Sequence, residues 1–438
     1  RPGTFVYDYA QHHAADVIAT DFCNTRSDRA SPSVSTHATT FGIVVVLVWI
    51  LPALALFWNS VAALLLKNSK KEHYQQIALL ASLFAVTLGA FLYSFSLTHV
   101  FLFFLFAGLL AAHLMPKTVH KPFAKMPRAS VIVSLLFLVV SLGFLTTIFI
   151  SAQRYAAEVT FAKAVRLDRQ GDDIDEILSM LDRAATLNRF HDGYYRNLAQ
   201  ALLIKTQQEI SGISTQELSA EKRSLIQALS AAGINASVRA TELAPSNVLN
   251  WLMRGAMYRE FIPLIGNASE FSVMAFERAI ELEPNNPSHF TELGRALMAV
   301  SEAARPLAAA DDKDVREAAE RQVQESLVRA QLMFQEAIDL KPDFAAAHYQ
   351  LAIALEREGR LGDAISKMEA VAEYNPLDVG VVFQLGLLYL RRDAAGDVDR
   401  AQLVFEHAVG LAPSYSNALW FLASIYEQKG DLNGAGML

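Results

Sequence analysis

The chain has 438 residues, a formal net charge of −7 and a mean hydropathy of +0.24, which is high for a soluble protein. Residues 1–152 carry 10 Lys and Arg against 5 Asp and Glu, whereas residues 153–438 carry 28 against 40. This division argues against a single soluble enzyme, and the acidic part argues against nucleic acid as the main partner. Cys23 is the sole cysteine, which excludes an internal disulfide and a cysteine-based zinc site.

Residues 1–40 are polar and lead directly into an apolar stretch. His12 and His13 are adjacent, but two histidines without a third ligand nearby make a weak metal site, so we expect no metal and no other cofactor. The sequence begins at Arg1 rather than Met and stops a few residues into the second helix of a repeat. We therefore expect it to be a piece of a longer protein.

Four apolar stretches follow, and a helix needs ~20 such residues to cross a bilayer. They lie at about 41–66, 76–95, 99–114 and 129–151, and none contains Lys, Arg, Asp or Glu. The alternative is a set of buried helices in a large soluble core. Four such stretches in close succession would leave almost no polar face for water, so the sequence predicts a four-helix transmembrane segment over 41–151.

The basic residues of this region lie in two loops, which four spans place on the same side of the membrane. The two loops contain Lys67, Lys70 and Lys71, and Lys117, Lys121, Lys125 and Arg128. Positive loops mark the cytoplasmic side, so residues 1–40 and everything after Ser151 are predicted to be outside. The predicted location is the bacterial inner (plasma) membrane, with the second half of the chain on the extracytoplasmic side.

Residues 152–169 contain no Pro or Gly and are rich in helix-forming residues. They favour a helix that runs without a break from the fourth span into the acidic half. The alternative is a break near Ser151 and a flexible tether.

Residues 152–438 contain a repeat of about 34 residues. Pro342 and Pro376 are 34 residues apart, and Pro413 follows 37 residues later. The clearest copy, residues 379–413, contains Leu385, Gly386, Tyr389, Ala401, Phe405, Ala408 and Pro413, with a three-residue insertion in 391–398. Another copy begins at Pro287 and carries a 24-residue insertion rich in Ala, Glu and Arg. The pattern resembles the tetratricopeptide repeat, so the predicted fold is all-α, with an α-solenoid over 152–438.

Solenoids of this kind bind extended partners on the concave face, which first helices largely line. Tyr349, Phe383 and Trp420 occupy the same position in three successive repeats. They are candidates for contact with a protein or peptide partner, or with sugar rings stacked on their faces. The alternative is that an aromatic residue at this position only packs locally, and we favour it.

The layout as a whole resembles the C-terminal part of bacterial O-antigen ligase and polymerase proteins that carry a tetratricopeptide tail. The resemblance rests on residues 2–5, which read Pro-Gly-Thr-Phe, and on residues 38–43, which read Ala-Thr-Thr-Phe-Gly-Ile. Membership would imply transfer of a glycan from an undecaprenyl-pyrophosphate carrier, without a nucleotide-sugar site. Further membrane spans would then precede Arg1, and this piece alone would be inactive.

The resemblance implies cations that stabilise the pyrophosphate leaving group, and Arg26 and Arg29 are the candidates. The alternative is that both are solvated or bind lipid head groups. Typical ligases have a His followed two residues later by Asn before the chain re-enters the membrane, whereas the comparable stretch here is Arg29-Ala30-Ser31, and His37 does not match. The catalytic residues therefore stay unassigned. A second hypothesis is a membrane-anchored scaffold without enzymatic activity, which recruits envelope proteins through its repeats.

Overall fold

The computed structural model describes residues 43–66, 70–92, 97–114, 127–211 and 219–430. These residues form helices and turns with no strand among them, which confirms the all-α prediction. They divide into two compact units, and the boundary between these units along the chain lies between Tyr155 and Ala156. In chain order the helices are α1 (Ile43–Leu66), α2 (Lys70–Leu92), α3 (Leu97–Leu114), α4 (Pro127–Gln170), α5 (Ile174–Leu187), α6 (Asp192–Ser211), α7 (Ala220–Leu243), α8 (Val248–Glu260), α9 (Ala268–Leu282), α10 (Pro287–Ala304), α11 (Lys313–Leu340), α12 (Ala345–Arg357), α13 (Leu361–Tyr374), α14 (Val379–Arg392), α15 (Asp397–Leu411) and α16 (Ser416–Lys429).

In the first unit, helices α1–α3 pack around a small apolar core. This core contains Ala53, Leu83, Phe103 and Leu110. By length and composition, three of the described helices are apolar enough to cross a membrane, over Val46–Leu65, His73–Leu92 and Ser130–Gln170, and the apolar stretch of α3, Thr98–Leu114, is shorter. The helices thus fall where the four spans were predicted, and the transmembrane segment itself stays a prediction.

One buried polar contact joins α1 to α2. The Nε2 of Gln76 donates to the carbonyl oxygen of Ser60 at 2.8 Å and lies 3.1 Å from its Oγ, and both residues are buried. An amide among apolar side chains needs such partners, because its desolvation is otherwise uncompensated. The contact therefore favours one register of α2 against α1.

Helix α4 has 44 residues and continues without interruption through Ser151. This confirms the predicted continuous helix over residues 129–169 and leaves no flexible tether there. Apart from Ser141, its residues 131–150 are exposed, whereas Ala157 and Ala164 are buried in the second unit. The first part of α4 is thus apolar and exposed, whereas its last part packs against α5 and α6.

The second unit is a series of helical pairs, α6 with α7, α8 with α9, α10 with α11, α12 with α13, and α14 with α15, and α16 packs on the last pair. In three pairs, a glycine of the first helix lies against a phenylalanine ring of the second helix. A Cβ built on the glycine would lie 2.8, 2.3 or 2.6 Å from the nearest ring atom in the contacts Gly255–Phe276, Gly294–Phe334 and Gly386–Phe405, respectively. The absence of a side chain on the glycine thus lets the two helices of a pair pack closely.

The recurring prolines mark the turns from one pair to the next. In three turns, the residue two positions after the proline is Asn or Asp, and its side chain caps the following helix. These capping residues are Asn247, Asn286 and Asp378, which accept hydrogen bonds from the backbone N–H groups of α8, α10 and α14. The turn chemistry therefore explains part of the repeat period.

The two predicted insertions are built differently. The 24-residue insertion lengthens α10 to 18 residues and α11 to 28 residues, with a short 3₁₀ turn at Leu307–Ala309 between them. The three-residue insertion forms a turn in which Asp397, fully buried, accepts from the guanidinium of Arg392 at 2.8 and 2.6 Å and from the N–H of Ala394 at 3.0 Å. A buried carboxylate of this kind is stable only because these donors surround it.

Candidate functional site

First helices of successive pairs contact each other, α6 with α8, α8 with α10, and α10 with α12. Between α10, α12, α13 and α14 they leave a cavity of about 440 Å³, which we call the α10–α14 groove. Its lining residues come from these four helices and the α13–α14 turn. They are Thr291, Glu292, Arg295, Ala345, Ala346, Tyr349, Gln350, Val371, Asn375, Asp378, Gly380 and Val381.

Small residues at the start of two helices leave room in the groove. Ala345 and Ala346 open α12, and Gly380 is the second residue of α14. A Cβ built on Gly380 would approach Asp378 Oδ1 to 3.2 Å, so the backbone here lies close to a capping carboxylate. The first turns of α12 and α14 therefore present small side chains and backbone to the cavity.

One wall of the groove carries a charge cluster. Glu292 on α10 forms ion pairs with Arg259 on α8 and with Arg295, whose Nη1 is 2.8 Å from its Oε1. Burial alone would raise the pKa of Glu292, but Arg259 and then Arg295 lower it below its ordinary value. Glu292 is therefore ionised at neutral pH, and it holds the half-exposed Arg295 at the edge of the groove.

Another part of the lining combines a capping carboxylate with a phenol. Asp378 accepts from the N–H groups of Gly380 at 2.9 Å and Val381 at 3.1 Å. Burial raises the pKa of the half-buried Tyr349, and the negative charges of Asp378 and Glu356 raise it further. Tyr349 therefore keeps its proton and presents an O–H donor together with an aromatic face.

Two amide side chains in the groove have hydrogen-bonding capacity to spare. Gln350 on α12 and Asn375 after α13 are half-buried, and neither side chain bonds to any described residue. An amide side chain offers both donors and an acceptor, so it can pair with a peptide backbone. The sequence analysis missed both residues, although Gln350 directly follows Tyr349 and Asn375 directly precedes the repeat proline Pro376.

The three predicted aromatic candidates have different surroundings. Tyr349 lines the groove. Phe383 is 7% exposed, and its ring packs on Phe405, Tyr415 and Phe421 with centroids 5.2 to 5.8 Å apart, as the local-packing alternative expects. Trp420 is 66% exposed and packs edge-on against Phe421. The three side chains therefore do not form one exposed aromatic stripe, because the middle one belongs to the core.

The remaining predicted site residues lie outside the described residues. These are Arg26 and Arg29, the pyrophosphate candidates, and His12 and His13. Within the described ranges, no group of three or more His, Cys, Asp or Glu side chains is arranged to hold a metal ion.

A sequence profile of the tetratricopeptide repeat matches residues 316–378 and 390–436, so this part of the chain contains tetratricopeptide repeats. Repeats of this type are associated with protein–protein interaction. No curated protein sequence matches the chain.

Several solved structures are similar to the chain. YrrB, a TPR protein with an unusual peptide-binding site, is 18% identical over 55% of this chain and 95% of its own, with a TM-score of 0.31. TTC0263, a thermophilic TPR protein of Thermus thermophilus, is 15% identical over 52% of this chain and 98% of its own, with a TM-score of 0.35. PilF of Pseudomonas aeruginosa is 11% identical over 55% and 89%, with a TM-score of 0.36.

Proposed function

We propose that the chain is a membrane-anchored adaptor, whose α10–α14 groove binds an extended segment of a protein partner. The observation that carries this proposal is the pair of half-buried amides of Gln350 and Asn375, which have no hydrogen-bond partner among the described residues and lie beside small lining residues of the groove. A bound strand would satisfy these amides through its own backbone N–H and C=O groups. The cavity volume falls within the ~300–1,000 Å³ typical of ligand sites.

The charged and polar groups of the groove indicate which side chains a partner segment would carry. Arg295 on α10 is half-exposed, and Asp378 before α14 and the phenol of Tyr349 on α12 also line the groove. A segment with an acidic residue toward α10 and a basic or hydrogen-bond-accepting residue toward α14 complements these groups. The part of the groove beside Ala346 and Gly380 accepts a small or flat side chain of the partner, because these two residues leave space there.

The anchoring part of the proposal is supported by the apolar helices and the charge of the loops between them. Three described helices are long and apolar enough to cross a membrane, and α4 joins one of these stretches to the repeats by unbroken helix. The basic loops favour the extracytoplasmic side of the bacterial inner membrane for the repeats. Cysteine labelling of intact cells at Ser69 and Ser214 tests this orientation, and reaction of both sites from the same side would contradict it.

Partner binding is tested by photocrosslinking from the groove. A photoreactive phenylalanine analogue at Gln350 should crosslink a specific partner segment that mass spectrometry can identify, and the same analogue at exposed Ala318 on α11 should not. A synthetic peptide of the crosslinked segment should then bind the purified chain. Ala346→Arg, which fills the groove, should weaken binding of this peptide at least tenfold, whereas Ala318→Arg should leave it unchanged.

We infer a second candidate function, glycan ligation or polymerisation from an undecaprenyl-pyrophosphate carrier, from the sequence of residues 2–5 and 38–43. It differs from the adaptor because it requires transfer chemistry at the membrane, where Arg26 and Arg29 would hold the pyrophosphate. A transfer assay with the complete protein and a lipid-linked glycan tests it. Loss of transfer in Arg26→Ala and Arg29→Ala, with unchanged peptide binding, is the expected result for an enzyme. Absence of any transfer, with intact binding, leaves the adaptor function alone.

A further inference from the structure

Helix α7 is much longer than the helix that packs beside it in the next pair. It has 24 residues, whereas α8 has 13, a difference of about 16 Å along the axis. Helix α8 runs back along α7 from its end, because Arg254 Nη1 lies 3.1 Å from Thr241 Oγ1 and a Cβ built on Gly233 would meet Met257. The first turns of α7 therefore extend beyond the end of α8.

A cavity of about 620 Å³ lies where α8 stops, between α7, the end of α6 and the turn from α8 to α9, and we call it the α7 groove. Large aliphatic side chains form half of its lining, namely Ile210, Ile226, Ile234, Leu264 and Ile265. Leu264 is 62% exposed, so no described part of the chain covers this side of the groove. An open apolar surface of this kind marks a place where another molecule docks.

The α7 groove has one charged lining residue among those described, and this residue lacks a counter-ion. Arg223 is exposed, and its guanidinium forms no ion pair or hydrogen bond with any described residue. The carboxylate of Glu209 is shared between Lys205 at 3.4 Å and Lys222 at 3.6 Å, so it is already neutralised. The groove thus carries an uncompensated positive charge, although residues 153–438 as a whole are acidic.

The polar groups of the α7 groove favour a helix over an extended segment as its occupant. The buried hydroxyl of Ser230 already donates to the carbonyl oxygen of Ile226 at 2.7 Å, and the amides of Gln227 and Asn235 are exposed to water. An extended segment would bury backbone N–H and C=O groups against aliphatic side chains, whereas a helix satisfies these groups internally. The α10–α14 groove differs, because its amides are half-buried.

We propose that the α7 groove binds an amphipathic helix of a protein partner, with its apolar side chains in the cavity and an acidic residue against Arg223. Helices of this type dock through residues spaced i, i+4 and i+7, which suits a cavity that runs along another helix. The acidic residue follows from charge complementarity with the unpaired guanidinium. The α7 groove shares no described lining residue with the α10–α14 groove, so it is an additional site on the repeats.

The proposal is tested by selecting helical peptides on the full chain in detergent. The probe is a displayed library of peptides of about 16 residues, with leucine fixed at i, i+4 and i+7 and with Ala, Gln, Glu or Lys at every other position. Enriched peptides should carry Glu within one turn of a leucine. Ala231→Arg, which fills the groove, should weaken binding of an enriched peptide at least tenfold, whereas Ala228→Arg, at an exposed position of α7 outside the lining, should not.

A charge reversal tests the contact with Arg223 without filling the cavity. Arg223→Glu should weaken binding of the selected acidic peptide about tenfold, and replacing the Glu of the peptide by Lys should restore most of the affinity for this variant. A purely structural role of Arg223 would not give this rescue. Failure of the rescue would therefore contradict the contact between Arg223 and an acidic residue.

The remaining outcomes identify other occupants. Enrichment of no peptide, enrichment without a preference for Glu, or equal binding by Ala231→Arg and Ala228→Arg would overturn the proposal. Loss of binding in Ala346→Arg would place the peptide in the α10–α14 groove instead. A dimer of the unmodified chain that analytical ultracentrifugation detects, and that Ala231→Arg abolishes, would assign the α7 groove to a second copy of the chain and would also overturn the proposal.

Discussion

Some glycines of the repeats meet a close neighbour that Gly108 and Gly143 of the apolar helices lack. In the apolar helices, a Cβ added to Gly108 or Gly143 would have no neighbouring atom within 4 Å. In the repeats, Gly294 lies so close to Phe334 that the added atom would be 2.3 Å from the ring. The apolar helices are thus recognisable from composition alone, whereas the repeats are specified by which residue meets which.

The largest expected effect comes from Gly294→Ala. The new Cβ would overlap the ring of Phe334, whose side chain is fully buried and has no free space to move into. Overpacking of this kind should lower the free energy of unfolding by about 3 kcal/mol. Chemical denaturation of the full chain in detergent, followed by circular dichroism, measures the repeat transition.

Two further variants control this result. Gly143→Ala makes the same chemical change at an open position and should leave the repeat transition unchanged. Adding Phe334→Met to Gly294→Ala should recover most of the loss, because Ala352 and Met368 at the corresponding positions of the α12–α13 pair are both buried without a glycine. If the double variant is no more stable than Gly294→Ala, the contact between the two positions does not explain the glycine.

A second comparison lies within the repeats. Ala408 on α15 is fully buried, whereas Ala309 in the 24-residue insertion is exposed. Ala408→Leu should therefore reduce the stability of the repeat unit by about 2 kcal/mol, and Ala309→Leu should have no measurable effect. Equal melting temperatures for the two variants would remove the packing explanation for this repeat.

The buried carboxylate of Asp397 gives a pH-dependent prediction. Hydrogen bonds from Arg392 lower the pKa of Asp397 to about 2, from an ordinary value of 3.8. The folded state thus favours the ionised carboxylate, and this contribution to stability is complete above about pH 4 and lost as the pH falls toward about 2. Asp397→Asn should destabilise the repeats by about 1.5 kcal/mol at neutral pH.

The same variant has a built-in control. Its difference from the unmodified chain should shrink as the pH is lowered from about 4 to about 2, because protonation then removes the charge that distinguishes the two proteins. A difference for Asp397→Asn that stays constant across this range would show that the carboxylate charge is not what stabilises the turn.

The turn around Asp397 shows which structural features the sequence predicted and which it did not. The spacing of Pro376 and Pro413 located a three-residue insertion, and the turn between α14 and α15 lies within the predicted range 391–398. What spacing could not provide was the partner of each polar residue, because Arg392 and Asp397 meet only through the shape of the turn. For the same reason, Phe383 was a candidate for the surface although its ring lies in the core.

The sequence named one residue of the candidate groove but did not predict the groove itself. Tyr349 was selected from its repeat position, and the structure places it in the α10–α14 groove. Gln350 and Asn375 were missed because an amide in a helical repeat is ordinarily solvated. The two amides matter because both are half-buried and neither has a hydrogen-bond partner among the described residues. The periodicity of the sequence predicts neither burial nor hydrogen bonding of an individual side chain. The segments that contain Arg26 and Arg29 lie outside the described residues, so the pyrophosphate assignment rests on sequence alone.

The smallest expected effect concerns the apolar helices, and it tests whether their packing depends on one specific contact as the packing of the repeats does. Gln76 is buried and bonded to Ser60, whereas Gln75 on the same helix is exposed. Gln76→Ala should destabilise the packing of α1 against α2 by only about 0.6 kcal/mol, because helices inside a membrane retain other partners when one interhelical hydrogen bond is lost. Gln75→Ala is the matched control and should have no effect, measured by unfolding in mixed detergent with a fluorophore pair on α1 and α2. A loss of several kcal/mol from Gln76→Ala would mean that the apolar helices, like the repeats, depend on one specific contact, and the contrast between the two units would disappear.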